Sequence, residues 1–192
     1  MVEPKSLIET LRDFVERAVR LDIEYMVTGS FAMSAYGEIR LTRDVDIVVQ
    51  LDEKQVNMFA NAFAGTYYVS DNSIRRAIAS RGMFNIVDVK WGTKIDCIIQ
   101  KNTAFARESF ERRRKATVSG VEFWTTTKED LIVAKLDWAR DTHSEMQIRD
   151  IANLTSSEYD SEYVIAWIDR MDLTEIWAEV DKWKIQLERS EN

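Results

Sequence analysis

The sequence predicts an α+β fold in two parts, a strand-and-helix half over residues 1–126 and a helical half over residues 127–192. Two observations carry this. Short β-branched or apolar runs, such as Val45-Asp46-Ile47-Val48-Val49 and Ile95-Asp96-Cys97-Ile98-Ile99, alternate with helical patterns up to Trp124. From Thr127 onward every pattern is helical.

In chain order, Leu7, Leu11, Phe14, Ala18 and Leu21 recur at helical spacing behind Pro4, a residue that a helix start tolerates. Tyr25-Met26-Val27-Thr28 reads as a strand ending at Gly29-Ser30, and a short helix over 31–36 stops at Gly37. Residues 45–50 form a buried strand. Val56, Phe59, Ala60 and Phe63 mark a helix over 53–64. Tyr67-Tyr68-Val69 is a strand and 73–80 a short helix. Residues 84–89 and 94–99 are strands joined in a hairpin at Gly92. A basic helix is expected over 105–115, then a turn at Ser119-Gly120 and a strand through Phe123-Trp124. Thr126 and Glu129 have capping-box spacing for a helix that carries Ile132, Leu136 and Ala139.

Composition narrows the class. The chain has 192 residues, 45% hydrophobic and 31% charged, with one proline and six glycines, which leaves no room for a long flexible linker. No apolar run approaches the roughly 18 residues of a membrane span, and Met1-Val2-Glu3-Pro4-Lys5 does not open like a signal peptide. The single cysteine, Cys97, excludes an internal disulfide. A cytoplasmic protein with no membrane partner is expected. The net charge of −7 is uneven: residues 1–120 carry 18 Lys+Arg against 16 Asp+Glu, and residues 121–192 carry 8 against 17. The acidic second part suits a cationic substrate or a basic, neutralising protein partner better than nucleic acid.

Three features carry chemistry. Gly29-Ser30 stands where a strand turns into a helix, so free backbone N–H groups, a serine hydroxyl and a glycine that permits close approach all suit a phosphate. Asp44 and Asp46, at i and i+2 on a strand, share one face. Such close like charges repel unless a cation lies between them, and magnesium takes hard oxygen ligands and shares them with phosphates. Asp96, flanked by apolar strand residues, is costly there unless paired or metal-bound.

In order, Thr28-Gly29-Ser30, a spacer of thirteen residues, Asp44-Val45-Asp46-Ile47 and Ile95-Asp96-Cys97 resemble the nucleotidyltransferase (polymerase-beta-like) superfamily. Tyr36-Gly37, Arg40, Thr42-Arg43, Glu129-Asp130-Leu131-Ile132, Lys135-Leu136 and Arg149-Asp150-Ile151 are similar to the AbiEii-type bacterial members. The likeness spans most of residues 22–155. It implies a small mixed sheet flanked by helices, followed by a helical C-terminal part. It also implies that Asp44, Asp46 and Asp96 hold two magnesium ions against a nucleoside triphosphate, with Asp96 as base for an acceptor hydroxyl. Gly29 and Ser30 are then the phosphate cradle, and Lys135, near the apolar stripe of its helix, either points into the cleft as a further phosphate contact or snorkels its head to solvent. Arg43 either pairs with Asp44 or touches phosphate.

The activity implied is transfer of a nucleoside monophosphate to a hydroxyl on RNA or protein, in a toxin-antitoxin or defence setting. An aminoglycoside-type transferase and a catalytically inactive binding module are the alternatives. His143 reads as a surface residue at a helix boundary, and Cys97 as a small strand hydrophobe. Arg112-Arg113-Arg114-Lys115 reads as a solvated helix end, with contact to RNA phosphates as the alternative. Trp167, Trp177 and Trp183 read as packing residues.

Overall fold

The computed structural model describes residues 6–38 and 40–190; the reading of Pro4 falls outside them. The chain divides into two compact units, residues 1–35 with 39–126, and residues 36–38 with 127–192.

In the first unit, helix α1 (Leu7–Arg20) opens on a capping box: the Ser6 side chain accepts from Glu9 N, and the Glu9 carboxylate reaches back to the Ser6 backbone N–H. Strand β1 (Tyr25–Thr28) runs into helix α2 (Gly29–Ala32), which tightens into a 3-10 turn over Met33–Tyr36. Strand β2 (Asp44–Val49), helix α3 (Val56–Phe63), strand β3 (Tyr67–Tyr68) and helix α4 (Asp71–Ser80) follow. Strands β4 (Met83–Asp88) and β5 (Lys94–Ile99) form the hairpin around Gly92, whose φ is +69°. Helix α5 (Ala104–Glu111) precedes a second hairpin, β6 (Arg114–Val118) and β7 (Val121–Thr125), with positive φ at Ser119 and Gly120.

The described strands form one mixed sheet in the order β3-β4-β5-β2-β1-β7-β6. Its centre is a parallel pair, β2 and β5, aligned over their full length from Asp44 opposite Lys94 to Val49 opposite Ile99. Alternation sends Val45, Ile47 and Val49, with Ile95, Cys97 and Ile99, to one face, and all six are buried. Helices α1 and α3 cover that face through packed rings: Phe14 meets Tyr25 and Phe63 at centroid distances of 5.7 Å, and Phe59 meets Phe84 at 5.6 Å. The same alternation leaves Asp44, Asp46, Lys94 and Asp96 on the opposite face.

Two local expectations are corrected. The basic helix ends at Glu111, and Arg114 and Lys115 lie in a strand. The edge of β7 offers backbone partners from Val121 to Thr125, and strand pairing outweighs the helical propensity of an Arg-Lys run. Arg113 is not a solvated end either: its guanidinium lies over Phe110 and Trp124 and pairs with Glu24 at 2.8 Å. In the second unit, helix α6 (Lys128–Thr142) is capped one residue later than the Thr126–Glu129 spacing suggests. Thr127 Oγ1 accepts from Asp130 N at 3.2 Å.

Helices α7 (Glu145–Leu154), α8 (Ser161–Met171) and α9 (Thr174–Ser190) complete that unit around Leu136, Ile151, Leu154, Val164, Trp167 and Val180. No described helix is long and apolar enough to cross a membrane.

Candidate active site

The carboxylate cluster follows from strand register. Asp46 stands opposite Asp96 across the parallel pair, and Asp44 stands opposite Lys94. Side chains at paired positions of a parallel ladder point the same way, so two strands place three acids and one base on one patch of sheet. Each acid has a distinct setting. Asp96 is the most buried, at 6% exposure. Its Oδ1 accepts from Asn85 Nδ2 at 2.9 Å, and its Oδ2 accepts from Lys94 Nζ at 2.8 Å. Asn85 arrives from β4, where it is the antiparallel partner of Asp96. Asp44 accepts from Thr42 Oγ1 at 3.0 Å and lies 3.4 Å from Lys94 Nζ. The hydrogen bond to Asp96, joined by the charges of Asp96 and Asp44, holds the Lys94 ammonium above the ordinary lysine range.

Asp46 is fitted against the backbone of the β1–α2 turn. Gly29 has φ +64°, and a Cβ built on it would fall 2.0 Å from Asp46 Oδ2. The carboxylate occupies the space that any side chain at position 29 would need, so glycine is required here by both close approach and backbone conformation. The next residue, Ser30, accepts from Arg40 Nη1 at 2.7 Å. The turn therefore presents a backbone amide stretch, a hydroxyl and a guanidinium close to Asp46.

Three hard carboxylate donors on adjoining strands suit a magnesium ion, and a positive charge already stands between Asp44 and Asp96 in the form of Lys94. The donor chemistry fits the metal that the sequence motifs imply. Among the described residues no three His, Cys, Asp or Glu side chains are gathered closely enough to ligate one ion, and both oxygens of Asp96 accept hydrogen bonds, from Asn85 and Lys94.

The remaining sequence-selected residues have settings of their own. Arg43 is exposed, and the cation beside Asp44 is Lys94. Lys135 belongs to the helical unit, where it is buried and its ammonium donates to Asp150 Oδ2 at 2.8 Å and to Gln147 Oε1 at 3.0 Å. His143 is the left-handed cap of α6, with its side chain exposed near Glu179. Cys97 is fully buried, and burial pushes its thiol well above the usual range. A hollow of about 620 Å³ lined by Glu24, Gln50, Asp52, Arg81 and Gln100, among others, sits at the far ends of β2 and β5, and its lining does not include Asp44, Asp46 or Asp96.

Sequence reasoning missed Lys94 and Asn85. Lys94 had a signal, since it sits two residues before Asp96 on a strand and so shares its face. Asn85 is identified only once the register of the β4–β5 hairpin is known.

This arrangement has a family. The family model described as nucleotidyltransferase of unknown function (DUF6036) matches residues 5–188. The chain belongs to that nucleotidyltransferase family. No curated protein matches it in sequence.

Among solved structures it is similar to the antibiotic-resistance factor ANT(2'')-Ia in solution. The TM-score is 0.60 at 11% identity, with 92% of this chain and 95% of that chain covered. An antigenic nucleotidyltransferase-like protein from Paracoccidioides brasiliensis superposes with TM-score 0.56 at 13% identity, covering 97% and 92%. The lincosamide adenylyltransferase LnuA, bound to lincomycin, gives 0.50 at 14% identity, covering 80% and 99%. At these identities the likeness is one of fold, and it confirms the mixed sheet with flanking helices as a nucleotidyltransferase fold.

Proposed function

We propose that this nucleotidyltransferase-family protein transfers a nucleoside monophosphate from a magnesium-bound nucleoside triphosphate to an acceptor hydroxyl. The observation that carries this reading is the register of β2 and β5, which aligns Asp46 with Asp96 and sets Asp44 on the same face, beside a turn whose Gly29 leaves space for Asp46. Asp44, Asp46 and Asp96 would hold the metal, two ions as the motif implies. When bound, that metal supplies charge neutralisation for the triphosphate and makes the acceptor hydroxyl more acidic.

The chain's own residues account for the rest. Ser30 Oγ and the amides that follow Gly29 bind the β- and γ-phosphate oxygens, and Arg40, already bonded to Ser30, adds positive charge there. Arg43, exposed at the entry to β2, is a second cation available to the triphosphate. Asp96 is held by Asn85, so its carboxylate is oriented to accept the acceptor's proton. The hydroxyl oxygen bonds to the α-phosphorus, the bond from that phosphorus to the bridging oxygen of the β-phosphate breaks, and pyrophosphate leaves. Lys135, bound to Asp150 and Gln147, acts by ordering its helices.

RNA or protein is the acceptor class proposed first, in a toxin-antitoxin or defence role. The surplus of 17 Asp+Glu over 8 Lys+Arg in residues 121–192 favours a second reading, a polycationic small molecule such as an aminoglycoside. The test is incubation of the protein with labelled nucleoside triphosphates, magnesium and cell extract, alongside resistance assays in a sensitive host. A labelled RNA or protein supports the first acceptor class, and aminoglycoside resistance supports the second. Labelling that persists unchanged in Asp44→Ala/Asp46→Ala protein contradicts the whole reading.

A further inference from the structure

Lys94 lies within reach of two carboxylates that the proposed reaction needs for metal. Its Nζ is 2.8 Å from Asp96 Oδ2 and 3.4 Å from Asp44 Oδ2. The ammonium thus bridges β2 and β5 from the same face as the acids. Neighbouring strands are only about 4.8 Å apart, so carboxylates at paired or diagonal positions repel strongly when nothing positive stands between them. A buried Asp96 makes that repulsion costlier, since water screens it poorly.

We propose that Lys94 is a place-holding cation: it neutralises Asp44 and Asp96 when no divalent ion is bound, and it is displaced when one binds. This rests on the metal-dependent reading above and deepens it, because it makes metal binding a competition between Lys94 and the incoming ion.

Three features support displacement over permanent pairing. Asp96 keeps a second, neutral donor in Asn85 Nδ2, and Asp44 keeps Thr42 Oγ1, so both acids remain oriented when the ammonium leaves. The Lys94 side chain is 35% exposed, against 9% for that of Asp96, so the lysine can swing to solvent while the aspartate stays. Lysine chemistry also suits a displaceable cation, because its charge sits on a flexible four-carbon stem and forms single-point contacts. A divalent ion meets both carboxylates with twice the charge, and the freed ammonium remains on the same sheet face, where an arriving triphosphate is anionic.

The consequence is that the wild-type chain binds metal more weakly than its acids alone would allow. Electron paramagnetic resonance titration of Mn²⁺ into the full-length chain, without nucleotide, measures this for wild type, Lys94→Met, Lys94→Gln and Asp44→Asn. Removing the competitor should tighten Mn²⁺ binding about tenfold, the equivalent of roughly 1.4 kcal/mol. Lys94→Gln keeps a polar but uncharged side chain, one bond shorter, and serves if Lys94→Met does not fold. Independently, in ¹³C-lysine-labelled wild type, the Lys94 Cε resonance should move toward the positions of exposed lysines as Mg²⁺ is added.

Unchanged or weaker Mn²⁺ binding in the neutral variants, with wild-type binding still abolished by Asp44→Asn, overturns the place-holder role and leaves the metal-dependent reading standing. A Lys94 resonance that does not move while Mg²⁺ binds overturns it equally. Absence of Asp44-dependent metal binding in every variant overturns both.

Discussion

Gly29→Ala is the most exacting perturbation of the site, since it adds one methyl group to a fixed geometry. The added Cβ would lie 2.0 Å from Asp46 Oδ2, 2.7 Å from its Cγ and 2.9 Å from its Cβ. All three are inside the distance at which non-bonded atoms coexist, so either the β1–α2 turn or the aspartate moves. Position 29 has φ +64°, a left-handed conformation that costs an alanine about 1–2 kcal/mol. For a chain of this size each kcal/mol lowers Tm by roughly 2–4 °C, so the backbone alone predicts a drop of about 2–8 °C. The steric part acts on Asp46 and should appear in binding. Differential scanning calorimetry and titration with each magnesium nucleoside triphosphate separate the two. The expected result is a folded variant with that modest Tm loss and at least tenfold weaker triphosphate binding. A variant with wild-type Tm and wild-type binding refutes the argument that Asp46 is seated against this turn.

Three further outcomes follow from the geometry. Lys135→Met removes the cation from a buried ion pair with Asp150, which should cost about 3–5 kcal/mol by denaturant unfolding. Lys135→Met/Asp150→Leu should regain most of that loss, whereas additive losses contradict a paired role. Cys97 should resist alkylating reagents in the native protein and react only on unfolding, as read by mass spectrometry. Its thiol is raised by burial, so it stays protonated when folded. Its contribution to stability is then complete below the unfolded thiol's pKa of about 8.5 and declines as pH rises above it. Cys97→Ala, which removes that ionisable group, should show a smaller loss of unfolding free energy from pH 8 to pH 10 than wild type. Asn85→Leu should leave the fold intact and reduce turnover more than triphosphate affinity, because Asn85 orients Asp96 and does not face the phosphate cradle. An equal loss in affinity contradicts that division.

What the sequence revealed follows the range of the forces involved. The shared face of Asp44 and Asp46 was legible because strand alternation is a local rule, and Val45, Ile47 and Val49 declared which face was apolar. The β4–β5 hairpin was legible from Gly92 and its flanking strands. The partnership of β2 with β5 is parallel and separated by α3, β3, α4 and β4, so only the order of motifs pointed to it. The end of α5 was misread because β7, its competitor for residues 114 and 115, acts through tertiary pairing.

Lys135 looked like a lysine at the edge of an apolar stripe. Its true neighbours, Gln147 and Asp150, come from another helix and no local pattern announces them. Arg43 beside Asp44 in sequence suggested an ion pair or a phosphate contact; it precedes β2 and is exposed, and Lys94, from across the ladder, stands 3.4 Å from Asp44.

Every role proposed for the site depends on these aspartates holding a metal-bound triphosphate. The most direct test of this binding is calorimetric titration of each magnesium nucleoside triphosphate into wild-type protein and into Asp44→Asn/Asp46→Asn protein of equal Tm. The expected result is saturable binding to wild type that requires magnesium and is abolished in the double variant. Binding of equal strength to both proteins, or none to wild type, contradicts that role of the aspartates.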